Sequence, residues 1–138
     1  MSRGQALYLD TSAVLRAALE RGITPEIESR IRSAEVLVTS RLSTVEASRA
    51  IHRLRHLARV SEAMLADAER EIEQLWARCE LWELTSQVCE TARQVAPGKL
   101  VRALDAIHLA TFLLARRRVA ELEMLTVDER LRDAAQLS

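Results

Sequence analysis

Four acids stand at the borders of hydrophobic segments: Asp10 after Leu7-Tyr8-Leu9, Glu46 early in a helical stretch, Asp105 inside Leu104-Asp105-Ala106-Ile107, and Asp128 after Met124-Leu125-Thr126-Val127. The chain has only five aspartates, and three of them belong to this set. They are so far apart in sequence that only the fold can gather them. A gathered set of carboxylates must hold a cation, share protons, or do both. An acid beside a buried strand loses hydration, which costs free energy unless it is paired or bound to a metal. An all-oxygen site suits Mg2+ or Mn2+ rather than Zn2+, and no His/Cys set competes for a softer ion. The pattern points to metal-dependent chemistry on a phosphate.

Each acid also has a plainer use. Asp10 and Asp128 can cap the helices that follow them. Glu46 can be the return arm of a capping box, Ser43-Thr44-Val45-Glu46. Asp105 can answer a helix dipole. Their joint placement is what favours chemistry, and that placement depends on the elements carrying them.

Ala6–Asp10 reads as a buried strand ending in an acid. Thr11 or Ser12 can cap a helix over about Ala13–Arg21, which Gly22 ends. Thr24-Pro25-Glu26 opens a short helix running to about Ser33. The β-branched run Glu35–Thr39 is a second strand. A long helix over about Leu42–Arg59, with Val45, Ile51, Leu54 and Leu57 as its apolar face, pairs with another beginning at Ser61. The second bears Met64, Leu65, Ala68, Ile72, Leu75 and Trp76 at helical spacing. Then follow a strand at Glu80–Leu84, a helix at Ser86–Val95 closed by Pro97-Gly98, an Ala-rich helix at Ala103–Arg117, a strand at Leu122–Thr126 and a helix at Glu129–Gln136. Alternating strands and helices predict a parallel sheet covered on both faces, with ligands bound outside the carboxyl ends of the strands. Asp10 and Asp128 fall at such ends.

The bulk composition bounds the function classes. With 138 residues the chain fits one domain, and 20 basic residues balance 20 acidic ones. Binding to nucleic acid must therefore use a local basic patch rather than net charge. Lys99 is the only lysine, and arginine's planar fork suits phosphate. Cys79 and Cys89 fit no zinc or redox spacing and read as reduced, mostly buried thiols of a cytosolic protein. Met1-Ser-Arg-Gly-Gln5 shows no signal-peptide pattern, and the apolar run Ala106–Ala115 is too short to span a bilayer.

In order and spacing the four motifs resemble those of PIN-domain ribonucleases, the toxin half of VapBC-type toxin–antitoxin pairs. They read Leu9-Asp10-Thr11-Ser12-Ala13, Ser43-Thr44-Val45-Glu46-Ala47, Leu104-Asp105-Ala106-Ile107-His108-Leu109-Ala110 and Leu125-Thr126-Val127-Asp128-Glu129-Arg130-Leu131. The resemblance implies an α/β/α sandwich in a single domain over residues 1–138, and Mg2+- or Mn2+-dependent cleavage of RNA in the cytoplasm. It also implies an antitoxin partner and a homodimer. It makes Asp10, Glu46 and Asp105 the core metal ligands and Asp128 a supporting fourth acid. Ser12 and Thr126 become hydroxyls that orient carboxylates or water. His108 reads as a core or supporting histidine rather than a general base. Arg49 and Arg53 share a helix face with Glu46 and are assigned to the RNA backbone, whereas Arg116-Arg117-Arg118 answers a helix dipole. The apolar residues of the Leu42–Arg78 hairpin, with Trp76 and Trp82, are expected to close the core. A haloacid-dehalogenase-like phosphatase would need an acid where Ser12 stands, and a receiver domain a late lysine at a strand end. A non-enzymatic PIN-like binding module is the alternative.

Overall fold

A computed structural model describes residues 4–138; Met1, Ser2 and Arg3 lie outside the described residues. Its four strands are β1 (Ala6–Leu9), β2 (Val36–Ser40), β3 (Cys79–Trp82) and β4 (Glu123–Leu125). They form one parallel sheet in the order β3-β2-β1-β4. Its helices are α1 (Thr11–Leu19), α2 (Pro25–Ser33), α3 (Arg41–Leu57), α4 (Glu62–Arg78), α5 (Ser86–Ala92), α6 (Ala103–Arg116) and α7 (Glu129–Gln136).

Side chains alternate across a strand, so β1 feeds two cores. Leu7 and Leu9, with Leu37 of β2, join Val14, Ile27, Ile31, Ile51, Leu65 and Ile72 from α1 to α4. Tyr8 and Val38 face the other way, onto Leu109, Phe112 and Leu131 of α6 and α7. Val88 brings α5 onto Ala110 and Leu114 of α6. Helices thus cover both faces and give the three-layer α/β/α sandwich. Leu7, Tyr8 and Leu9 are wholly buried, as the inner strand of a parallel sheet requires.

Several details depart from the sequence reading. Ser40, not Ser43, caps α3, its Oγ accepting the Leu42 N–H at 3.0 Å. Ser43 is buried and hydrogen-bonds Thr39, so the proposed capping box does not form. Two serines three residues apart compete for the cap, and burial of Val38 and Thr39 fixes the earlier one. The apolar face of α3 runs through Ala47, Ile51 and Leu54, leaving Val45 and Leu57 exposed. Met64 is exposed for the same reason of helical phase. α4 enters β3 without a loop, which starts that strand at Cys79 instead of Glu80. Trp76 and Trp82 pack against the cores. Cys79 is partly buried, with burial pushing its thiol up to about 11, but Cys89 is exposed. α5 is short, and its seven residues have too little apolar pattern to bury a second cysteine.

Candidate active site

The chain passes from β1 to β2 on one side and returns to β4 on the other. The sheet order therefore reverses between β1 and β4, and a crevice opens beyond their carboxyl ends. Asp10 follows β1 directly, and Asp128 follows β4 by three residues.

Asp10 caps α1, so its plain and its chemical uses coincide, and neither Thr11 nor Ser12 is the cap. Its Oδ1 accepts the Ala13 N–H at 3.1 Å. The Ser12 hydroxyl reaches both carboxylate oxygens, at 2.8 and 2.9 Å. Thr126 donates to Oδ2 at 2.6 Å and accepts the Asp128 N–H at 3.0 Å. Ser12 in turn accepts the Val127 N–H at 3.2 Å. These bonds knit the end of β1 to the end of β4 and fix the orientation of the carboxylate. Burial still pushes the Asp10 carboxyl above its ordinary value, against the opposing effect of Thr126, Ser12, Ala13 and His108.

Glu46 projects from the second turn of α3. Its Oε1 receives the Thr11 hydroxyl at 2.7 Å and His108 Nε2 at 2.7 Å. Burial opposes its charge, but those two donors and the facing imidazole outweigh it and hold the carboxyl below its usual range. An ionised carboxylate only accepts, so the Nε2 proton belongs to His108. The other ring nitrogen lies 2.8 Å from the Tyr8 hydroxyl. Burial keeps that phenol protonated, raised well above its ordinary value. Tyr8, His108 and Glu46 thus form a chain from the middle of the sheet to the crevice. Sequence reasoning placed His108 near the site but missed Thr11 and Tyr8. The polar hydroxyl of Tyr8 within the otherwise aliphatic run of β1 was the available signal.

Asp105 lies in the first turn of α6, where its carboxylate has no hydrogen bond among the described residues. Its pKa is raised by burial and then by the negative charge of Asp128, with Asp10 and Glu46 adding to it and only His108 opposing. Asp128 caps α7, its Oδ1 accepting the Arg130 and Leu131 N–H groups at 2.9 and 3.3 Å. A cavity of about 320 Å³ contains both acids, lined also by Leu100, Val101, Arg102, Arg130 and Leu131. The four acids are thus electrostatic neighbours around Asp105. Among the described residues, no three acidic, histidine or cysteine side chains are gathered at a spacing that would hold a metal ion.

Arg49 and Arg53 lie elsewhere, with His52 and His56, along an open groove of about 410 Å³ on α3. Neither pairs with a carboxylate of the described residues. Arg116 and Arg118 are used structurally, lying over Phe112 and Trp82.

The PIN domain family model matches residues 7–137. This chain belongs to the PIN-domain family. It is similar to Ribonuclease VapC45 of Mycobacterium tuberculosis strain CDC 1551 / Oshkosh, 33% identical over 112 residues that cover 78% of this chain and 74% of that protein. Ribonuclease VapC46 of Mycobacterium tuberculosis strain H37Rv is 33% identical over 131 residues, covering 94% and 90%. These relatives place the chain among the VapC-type PIN ribonucleases. The crystal structure of PAE2754 from Pyrobaculum aerophilum shares the fold, with a TM-score of 0.65 at 21% identity over 96% of this chain and 81% of that one. All four acids of this PIN domain fall within the matched span.

Proposed function

We propose that this VapC-type PIN domain is an endoribonuclease that cuts RNA phosphodiester bonds with Mg2+ or Mn2+ held by Asp10, Glu46, Asp105 and Asp128. The observation that carries this reading is the charge on Asp105. It is half-buried, shares a cavity with Asp128, and makes no hydrogen bond among the described residues, while the charges of Asp128, Asp10 and Glu46 all disfavour its own. A divalent cation removes that repulsion, and an all-oxygen donor set fits a hard ion.

When bound, the ion supplies Lewis-acid activation of the attacking water and of the phosphoryl oxygens. The chain's own part is to aim the donors. Ser12 and Thr126 hold Asp10; Thr11 and His108 hold Glu46. Asp105, with no hydrogen bond among the described residues, is the acid that can swing toward an ion. Asp128 commits Oδ1 to the α7 cap and leaves Oδ2 for water or metal. Arg49 and Arg53 hold the RNA backbone along the α3 groove.

By the same reading the chain is the toxin of a type II pair. It acts in the cytoplasm, meets a cognate antitoxin and associates as a homodimer. The alternative, a PIN-fold module that only binds RNA or protein, draws on the looseness of the carboxylate set. Asp10→Asn and Asp105→Asn should each abolish Mn2+-dependent cleavage of an RNA panel and the heat of Mn2+ binding. Wild-type-like cleavage by both variants would sink the proposal, and a wild-type chain with no Mn2+ heat would favour the binding module.

A further inference from the structure

Resting on the ribonuclease reading, we infer that Arg102 and Arg130 form a second phosphate-binding site, inside the cleft that holds Asp105 and Asp128, and grip the RNA backbone beside the scissile bond. The cleft is open and polar, and its two cations come from separate elements. Arg102 immediately precedes α6 and Arg130 lies in the first turn of α7, three residues before Asp105 and two after Asp128. Both are exposed, and neither side chain makes a hydrogen bond or ion pair among the described residues. They share a cavity with two carboxylates yet pair with neither among the described residues.

Cations held beside acids but not spent on them remain available to an anion. The ligand that needs both groups at once is a phosphodiester, with oxygens for a guanidinium fork on one side and for carboxylate-held metal on the other. The α3 groove shares no lining residue with this cleft. Arg53 is seven residues beyond Glu46, about 10 Å along the helix axis. Arg49 and Arg53 line a separate groove and hold a neighbouring stretch of strand, and Arg102 and Arg130 hold the reacting one.

The test uses R102Q, R130Q and R130K in the full chain. Each is measured by fluorescence anisotropy with labelled single-stranded RNA in EDTA over a salt series, and by Mn2+ calorimetry. R102Q and R130Q should each weaken RNA binding about ten-fold and flatten the slope of log K against log salt by about 0.7, the share of one single-strand phosphate contact. R130K should restore the slope and only part of the affinity. Mn2+ heats and melting temperatures should match wild type. Unchanged affinity and slope in both glutamine variants would overturn the inference. So would wild-type binding without salt dependence, or a loss confined to Mn2+ heat. Failure of the ribonuclease reading shows separately, as a wild-type chain without Mn2+ heat or cleavage.

Discussion

Thr126→Val isolates the link between the two strand ends. Valine keeps the shape of threonine, so the packing around this buried residue survives. What disappears is a hydroxyl that donates to the Asp10 carboxylate at 2.6 Å and accepts the Asp128 N–H at 3.0 Å. A hydrogen bond to a charged group contributes about 1.5–3 kcal/mol, and an orphaned N–H costs about 1 kcal/mol more. Ser12 keeps its hold on both Asp10 oxygens, so the loss should be about 2–3 kcal/mol. Unfolding entropy for a chain of this length is roughly 0.3 kcal/mol per kelvin, giving a drop of about 7–10 °C in melting temperature at pH 7. The deficit should itself depend on pH. The folded Asp10 titrates above 3.8 because of burial, so its charge weakens the fold as pH rises through that window. Thr126 opposes this by stabilising the charged form. Its contribution is present above the folded pKa of Asp10 and fades as pH falls through it. Calorimetric melts of wild type and T126V from pH 3.5 to about 7.5 would test this. A deficit under about 2 °C, or one that does not shrink in acid, would refute the idea that Thr126 acts through the Asp10 charge.

Other expectations follow from the same geometry. Asp105→Asn removes a carboxylate whose pKa is raised by burial and by Asp128, so without divalent ions it should melt about 1–3 °C above wild type at pH 7. The order should reverse in saturating Mn2+, which stabilises only the chain able to bind it. His108→Asn strips Glu46 of a donor and should lower Mn2+ affinity about 10- to 100-fold, measured by calorimetry, with Tyr8→Phe giving a smaller loss. The double variant R49A/R53A should raise the KM for RNA several-fold with kcat unchanged; a selective fall in kcat would place those arginines in the chemistry instead. Cys89→Ser should leave stability within about 0.5 kcal/mol of wild type, as for other exposed sites.

The architecture was legible because its signals are periodic and redundant. The apolar runs before Asp10 and Asp128 declare strands, and alternation with helices leaves a covered parallel sheet as the consistent arrangement. The placement of Asp10 and Asp128 beside the β1–β4 crevice follows from that. What escaped the reading depends on competition between equivalent local choices. Ser40 and Ser43 are both good caps, and only the depth to which β2 is buried decides between them. The face of α3 escaped as well, because packing on the core selects Ala47, Ile51 and Leu54 and leaves Val45 and Leu57 exposed. The partners of Glu46 escaped for another reason. Thr11 is 35 residues away and His108 is 62, and no local pattern encodes which donors a carboxylate will meet. Arg102 and Arg130 look in sequence like any other arginines of an arginine-rich chain. Only the cavity they share with Asp105 and Asp128 separates them from the rest.

The Thr126–Asp10 bond spans 116 residues, and among the described residues β4 pairs with β1 alone. Such a contact forms late, after the intervening chain exists and its loop-closure entropy has been overcome. On the ribosome, Asp10, Glu46 and Asp105 all emerge before the residues that complete the crevice. Until residue 126 is clear of the exit, the nascent chain lacks the strand that fixes its first acid. A nuclease translated on the very class of molecule it destroys would then stay harmless to its own template for most of its synthesis. Ribosome-bound chains arrested before and after β4 should differ sharply in cleavage.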